Sequence, residues 1–334
     1  MKNKSVFITG ADGFIGSHLC ELMVQEGYDV KALAIYNSLN SHGWLDTIPK
    51  EIKNNIDIIS GDVRDKEIIK YAMKGSSSVL HLASLIAIPY SYLSPSSYIE
   101  TNIIGTYNVL QAARDLGISK IVHTSTSEVY GTAEYVPIDE KHKLEGQSPY
   151  AASKIGADQI AVSFNKSYEM PISIIRPFNT YGPRQSSRAI IPTIITQILN
   201  GNKKIKIGNV SPTRDFTFVS DTVNGFKLSL ESELTIGEVV NLGSNFEVTI
   251  EETFNLIKGI FKSDVELVTS QKRIRPKNSE VERLLSCNLK AKKLMSWEPK
   301  FGDIDGFQKG LKETIDWFSE KDNLRFYEKD NYVI

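Results

Sequence analysis

A glycine-punctuated turn between a short apolar run and a helical stretch constrains this chain more than any other feature. Ser5, Val6, Phe7, Ile8 and Thr9 form an apolar, β-rich run that reads as a buried strand. It ends at Gly10-Ala11-Asp12-Gly13-Phe14-Ile15-Gly16, and residues 17–25 then show helical periodicity. Strand, glycine turn and helix in this order predict a phosphate cradle. One glycine permits the tight turn, a second lets the backbone approach a pyrophosphate, and the third lets the helix pack close to the strand. The helix N-terminus favours the anion. A glycine turn that binds nothing is the plainer alternative.

The first half of the chain continues this alternation. Strands are expected at 28–34, 56–60, 78–83, 120–126 and 172–177, with helices at 66–73, 97–116 and 149–168. Such alternation predicts a Rossmann-type, doubly wound parallel α/β sheet. Ligands bind such sheets at the carboxyl ends of the strands. Gly10, Asp62-Val63, His81 to Ala83 and Thr124 to Glu128 all fall at such ends. Beyond residue 178 the elements become shorter. Helices are expected at 189–199, 221–231, 249–261 and 304–318, and strands at 204–207 and 239–242. They suggest a smaller mixed α/β C-terminal lobe over the carboxyl rim. The expected division is 1–178 with about 215–240 for the dinucleotide, and 179–214 with 241–334 for the substrate.

Composition narrows the function classes. With 39 Lys and Arg against 40 Asp and Glu, the chain lacks the basic excess of a nucleic-acid binder. Two distant cysteines, Cys20 and Cys287, make neither a disulfide framework nor a metal motif. No apolar run approaches a bilayer's span, and a strand within five residues of Met1 leaves no room for a signal peptide. A cytoplasmic setting is the expectation.

Chemistry concentrates in two stretches. Pro149 suits the first turn of a helix, and Tyr150 and Lys154 then share one face. A free phenol titrates near pH ~10, too high for a base at neutral pH. A nearby ammonium and a cationic nicotinamide would favour the phenolate. Glu128, just past the fifth strand, could remove a proton from a carbon next to a ketone. Thr126 and Ser127 offer hydroxyls beside it. The same residue types also build capping turns.

These residues carry a family resemblance. The glycines at 10, 13 and 16, Asp62, the Tyr150–Lys154 pair, Arg176-Pro177-Phe178-Asn179-x-Tyr181-Gly182-Pro183 and Arg214-Asp215-Phe216-Thr217-Phe218-Val219-x-Asp221 together resemble the extended short-chain dehydrogenase/reductase family of nucleotide-sugar enzymes. Thr126-Ser127-Glu128 resembles the GDP-mannose 4,6-dehydratases, and UDP-glucuronate decarboxylases share it. Asn37-x-x-Asn40-Ser41-x-Gly43-Trp44-Leu45-Asp46, Glu145 to Tyr150, Arg184-Gln185-Ser186-x-Arg188 and the Arg275 to Leu285 text are similar to the LegB group of the legionaminic acid pathway. Those are 4,6-dehydratases of nucleotide-linked N-acetylglucosamine.

The resemblance implies an internal redox cycle in which NAD takes the C4 hydride and returns it to C6. Tyr150 and Lys154 would act at O4, Glu128 at C5, and the Thr126-Ser127-Glu128 cluster at the departing water. Asp62 and Val63 would hold the adenine. Leu82, Ala83 and Ser84 would border the cofactor, together with Phe14, Ile15, Thr124 and Pro177. Ser84 and Thr126 would also meet the sugar. Asn179, Arg188, Arg214 and Arg275 would meet the diphosphate, where guanidinium forks suit phosphate oxygens. Glu280 would take the nucleotide ribose. The partner is thus a GDP- or UDP-linked N-acetylglucosamine, and the assembly a homodimer. One departure stands out. The second strand ends in Ala34-Ile35-Tyr36-Asn37, without the acid that usually meets the adenosine ribose. NAD is the expected cofactor, NADP stays open, and the Asn37 to Trp44 loop is the candidate replacement. Other readings are a 4-epimerase, a glucuronate decarboxylase, and a non-catalytic NAD-binding sensor.

Overall fold

The computed structural model describes residues 4–274 and 276–327. Among these residues twelve strands occur in chain order: β1 (Ser5–Thr9), β2 (Asp29–Ile35), β3 (Ile56–Gly61), β4 (Ser78–His81), β5 (Lys120–Thr124), β6 (Ile172–Pro177), β7 (Asn179–Tyr181), β8 (Lys204–Ile207), β9 (Thr213–Phe218), β10 (Val239–Leu242), β11 (Glu247–Thr249) and β12 (Glu266–Thr269). Seven form one parallel sheet in the order β10-β6-β5-β4-β1-β2-β3. The strand order reverses between β1 and β4, which makes the carboxyl ends of those two strands the switch point where doubly wound sheets bind ligands. Helices cover both faces, and the strands β1, β4 and β6 are buried along their whole length. That double burial explains the apolar centres of these strands, and the polar residues they carry, such as His81 and Arg176, are hydrogen-bonded.

Strand β10, one of the short strands beyond residue 178, joins the central sheet beside β6, with Val239 opposite Ile174. A lobe boundary at 240/241 would cut it. The region outside the central sheet carries a three-stranded sheet, β11-β9-β7, and the parallel pair β12-β8, and takes in β9 although about 215–240 is expected with the dinucleotide half. Its helices Ile190–Leu199, Ile250–Phe261 and Ile304–Ser319 pack an aromatic core in which Phe216 stacks on Phe307.

Two strands end sooner than their apolar runs suggest. β4 stops at His81: the Leu82 N–H is shared between the Thr9 carbonyl and Thr9 Oγ1, both at 3.2 Å, and the Ala83 N–H turns onto Thr9 Oγ1 at 3.1 Å. β5 stops at Thr124, although the Ser125 N–H still reaches the Ile175 carbonyl at 2.7 Å. The single helix expected over 97–116 is divided. A π-helical segment, Ile99–Ile104, precedes Gly105–Leu116. Inside the π segment, buried Asn102 accepts from the Leu85 N–H at 2.8 Å and donates to Ser153 Oγ at 2.9 Å. Such single π turns are frequent at functional sites. Among the described residues no helix is long and apolar enough to cross a membrane.

Candidate active site

The glycine turn forms a cradle that side chains would fill. Gly10 adopts φ +67°, and a Cβ there would lie 2.7 Å from the Ala83 nitrogen. A Cβ on Gly16 would overlap the Gly10 carbonyl oxygen. Gly13 is the N-cap of the Phe14–Gln25 helix, so Phe14, Ile15 and Gly16 occupy its first turn, where N–H groups lack intrahelical partners. Thr9 holds the facing wall. Its hydroxyl bonds His81 Nδ1 at 2.7 Å as well as the Leu82 and Ala83 amides. Burial keeps His81 neutral, and its Nε2 meets Thr106 Oγ1 at 3.0 Å. Thr124 Oγ1, at the end of β5, is buried without a hydrogen-bond partner. A glycine cradle and an unpaired hydroxyl at carboxyl ends of the same sheet fit a dinucleotide.

Asp62 and Val63 lie just past β3. Val63 is buried, and its carbonyl accepts from Asn108 at 3.0 Å. Asp62 does not stand free for adenine. Arg64 clamps its carboxylate through Nη2 at 2.6 Å and Nε at 3.0 Å, which holds the acid below the ordinary carboxylate range. Ser84 follows Ala83 on the β4 rim, and Pro177 closes β6.

The two chemical stretches converge on the rim. Pro149 and Tyr150 open the Pro149–Tyr168 helix behind the Ser148 cap, whose hydroxyl accepts the Ala151 N–H at 3.1 Å. Thr126 caps the 3₁₀ turn Ser127–Tyr130 and accepts the Glu128 N–H at 3.2 Å. A hydrogen-bonding contact also links the Thr126 side chain to the Tyr150 phenol, and the Glu128 charge acts on that phenol. Ser127 is buried and Glu128 half-buried. Tyr150, Lys154, Thr126 and Glu128 thus share one site.

The Tyr150 shift runs opposite to the one expected from the Tyr–Lys spacing. Burial dominates and pushes the phenol up, against the Thr126 contact, which lowers it. Lys154 is itself buried, is pulled down to about 8 by desolvation, and gives its Nζ to the Thr124 carbonyl at 2.6 Å. The protein alone therefore keeps Tyr150 protonated.

Beneath the site lies a buried network absent from the sequence reading. Asp158 accepts from Ser125 Oγ at 2.7 Å and Arg176 Nη2 at 3.0 Å, and lies 3.3 Å from His123 Nε2. Arg176 Nη1 donates to the Tyr130 hydroxyl at 2.9 Å, which donates onward to Asn241 Oδ1 at 2.8 Å. Burial raises the Asp158 carboxyl, but the His123 and Arg176 contacts outweigh it and the net shift is downward. The legible signal was a helical stripe, since Asp158 lies four residues past Lys154 and eight past Tyr150.

The substrate candidates separate. Asn179 opens β7, and its Oδ1 is buried without a hydrogen-bond partner. Arg188 is exposed, and its charge acts on Tyr98, whose ring meets Tyr150 edge-on at 6.2 Å. Arg214 is buried and reaches Glu280 Oε1 at 3.2 Å, so these two candidates contact each other. Arg275 lies outside the described residues. Ser279, which the sequence offers only as part of the Arg275 to Leu285 text and without a role, joins Tyr92 (2.6 Å) to the Gln147 carbonyl (2.6 Å) and so ties the 276–285 segment to the helix-entry loop before Tyr150.

Known proteins share this architecture. The family model described as GDP-mannose 4,6 dehydratase matches residues 7–314. A UDP-N-acetyl-α-D-glucosaminuronate decarboxylase of Bacillus cytotoxicus is 31% identical over 330 residues, covering 96% of this chain and 99% of its own. The structure of a UDP-N-acetylglucosamine 4-epimerase from Methanobrevibacter ruminantium, in complex with UDP-N-acetylmuramic acid, matches with a TM-score of 0.84 at 31% identity, over 95% of this chain and 99% of that one. A dTDP-glucose 4,6-dehydratase from Bacillus anthracis in complex with NAD matches with a TM-score of 0.81 at 29% identity, over 95% and 97% of the two chains.

Proposed function

The chain belongs to the GDP-mannose 4,6 dehydratase family, and from that premise we propose that it is an NAD-dependent 4,6-dehydratase of a GDP- or UDP-linked N-acetylglucosamine. The observation that carries the reading is the Thr126-Ser127-Glu128 turn, which sets a carboxylate beside the buried Tyr150–Lys154 pair. Gly10, Gly13, Phe14, Ile15, Gly16, Val63, Leu82, Ala83, Ser84, Thr124 and Pro177 would hold the cofactor, and Asp62 would join them at the adenine once its Arg64 clamp opens. NAD, when bound, supplies a hydride acceptor that takes hydrogen from C4 and gives it back at C6.

The chain's own groups do the rest. Tyr150 would take the O4 proton as its phenolate, a form favoured only when the positive charge of bound NAD adds to the Lys154 ammonium, which the Thr124 carbonyl places, and it would later release that proton to solvent. The new ketone acidifies C5, and Glu128 removes that proton. Glu128 then returns it to the C6 hydroxyl, which leaves as water while Thr126 and Ser127 hold the site's hydroxyl pattern. A solvent proton restores C5. Asn179, Arg188 and Arg214 meet the diphosphate, and Glu280 meets the nucleotide ribose, after the Arg214–Glu280 contact opens. The LegB-like text around Asn37 to Asp46 and Arg184 to Arg188 supports the N-acetylglucosamine assignment and a place in legionaminic acid synthesis.

The homodimer belongs to the same proposal. Ile99, Ile104, Tyr107 and Tyr168 are exposed on the 99–116 and 149–168 helices. Ala151, Ala157 and Ala161 are buried within the chain, and Ala152 is exposed.

A C4 epimerase is the second reading, supported by the UDP-N-acetylglucosamine 4-epimerase likeness. It needs Tyr150 and Lys154 but no base at C5. A sugar carrying deuterium at C4 separates the two. A dehydratase delivers the label to C6, and an epimerase leaves it at C4.

A further inference from the structure

Strand β2 of a dinucleotide-binding sheet ordinarily ends in a carboxylate that takes the adenosine ribose hydroxyls. Here β2 ends at Ile35, followed by Tyr36, Asn37 and Ser38. The groups that could stand in for that acid are mostly committed elsewhere. Asn37 is spent on its own loop, donating to the Ile35 and Ser41 carbonyls at 3.2 and 2.7 Å and accepting the Leu39 N–H at 3.0 Å. Asp46 accepts the His42 N–H at 2.7 Å and pairs with Lys53 at 2.7 Å. Asp62, past the neighbouring β3, is clamped by Arg64.

Asp12 reaches the same place from the glycine turn. Its Oδ2 accepts the N–H of Ile35, the last residue of β2, at 3.2 Å. Its backbone carbonyl accepts the Trp44 N–H at 3.0 Å, so the 37–46 loop is moored directly above it. Among the described residues no side chain donates to this carboxylate. It is half-buried, and desolvation pushes it up from the ordinary carboxylate range against the Ile35 amide and the nearby His42. A carboxylate has room for about four acceptor contacts, and the Ile35 amide takes one.

We propose that Asp12, supplied by the glycine turn, replaces the missing strand-end acid, accepts the 2′- and 3′-hydroxyls of the adenosine ribose, and sets a preference for NAD over NADP. This assignment rests on the dinucleotide reading of the site and not on the identity of the sugar. A 2′-phosphate would meet a half-buried like charge, and the 37–46 loop offers no arginine to receive it.

Competition binding on the full chain, with no sugar present, tests it. The nucleotide carried by the purified protein is exchanged against NAD+, 2′-deoxy-NAD+ and NADP+. The wild type is expected to favour NAD+ over both others. Asp12→Asn is expected to weaken NAD+ by about tenfold, the scale of a hydrogen bond to a charged group, and to leave 2′-deoxy-NAD+ nearly unchanged. Tyr36→Asp added to Asp12→Asn, which restores an acid at the strand end, is expected to recover the NAD+ preference. Wild-type protein that binds 2′-deoxy-NAD+ as tightly as NAD+ overturns the assignment, whether or not the variants fold. So does an Asp12→Asn variant that loses both nucleotides equally, since Asp12 would then act only on the loop. A chain that bound no dinucleotide would overturn the cofactor reading and this assignment with it. Failure of the dehydratase chemistry alone would leave these affinities unmoved.

Discussion

Glu128 separates elimination from epimerisation, because only elimination needs a base at C5. Glu128→Gln keeps the size and the Thr126-capped turn but removes the base. Turnover is expected to fall by about 10²–10⁴-fold, the usual contribution of a positioned general base, with nucleotide affinity retained. Unchanged turnover would remove Glu128 from the chemistry. Lys154 carries a different signature. Its folded pKa, about 8, lies below the unfolded value of about 10.5. Between about pH 8 and 10 the unfolded chain therefore binds more protons, and the lysine's burial penalty is relieved as pH rises. Below pH ~8 the penalty is present in full. Tyr150 is shifted upward and keeps its proton through this window. The unfolding free energy of wild type relative to Lys154→Met should thus move in the wild type's favour from pH ~8 to ~10. A pH-independent difference would contradict the buried, depressed lysine.

Elements bring these residues together, and one helix does most of it. The Pro149–Tyr168 helix aims Tyr150 and Lys154 at the rim and Asp158 at Arg176 below. Arg176 and Asp158 are both buried, so removing either charge strands the other. Asp158→Asn should cost about 3–5 kcal/mol in denaturant unfolding. Pairing it with Arg176→Met should recover part of that loss. A full additive loss would show that the two groups do not act as a pair. On the outer side, Tyr107→Glu places a charge in the proposed dimer face, and sedimentation should show monomers. A dimer that persists would place the interface elsewhere.

The same scale shows how far sequence reaches. Helices 66–73 and 149–168 and strands 172–177, 204–207 and 239–242 form at their expected bounds, because each has a local period and a local stop signal. The π segment at 99–104 was not legible, since its geometry accompanies contacts of Asn102 with Leu85 and Ser153, far away in sequence. β7, β9 and β11 escaped because their pairing is entirely tertiary. In the site, Tyr150, Lys154 and Thr126-Ser127-Glu128 were legible as motifs with local spacing. The His123–Asp158–Arg176–Asn241 network comes from three strands and a helix, and only Asp158, on the Tyr150–Lys154 stripe of its helix, carries a local signal. The upward shift of Tyr150 was missed for the same reason, because burial is set by the whole fold.

At the scale of the molecule, a parallel sheet supplies the dinucleotide rim, and the proposed reading has Asn179, Arg188, Arg214 and Glu280 receive the nucleotide sugar over it. Epimerases, decarboxylases and dehydratases share this plan at about the same identity to this chain, so overall likeness does not choose the reaction. The choice of dehydratase rests on Glu128 beside Tyr150, which an epimerase does not need, and, because decarboxylases share Thr126-Ser127-Glu128, on the dehydratase-like Arg275 to Leu285 text. Mass spectrometry after separate incubation with UDP- and GDP-linked N-acetylglucosamine, first without added cofactor and then with NAD, is the most direct test of it. Loss of one water from one of the two sugars is the expected result, and it would also name the nucleotide. Unchanged mass with both sugars and NAD present would contradict the dehydratase assignment.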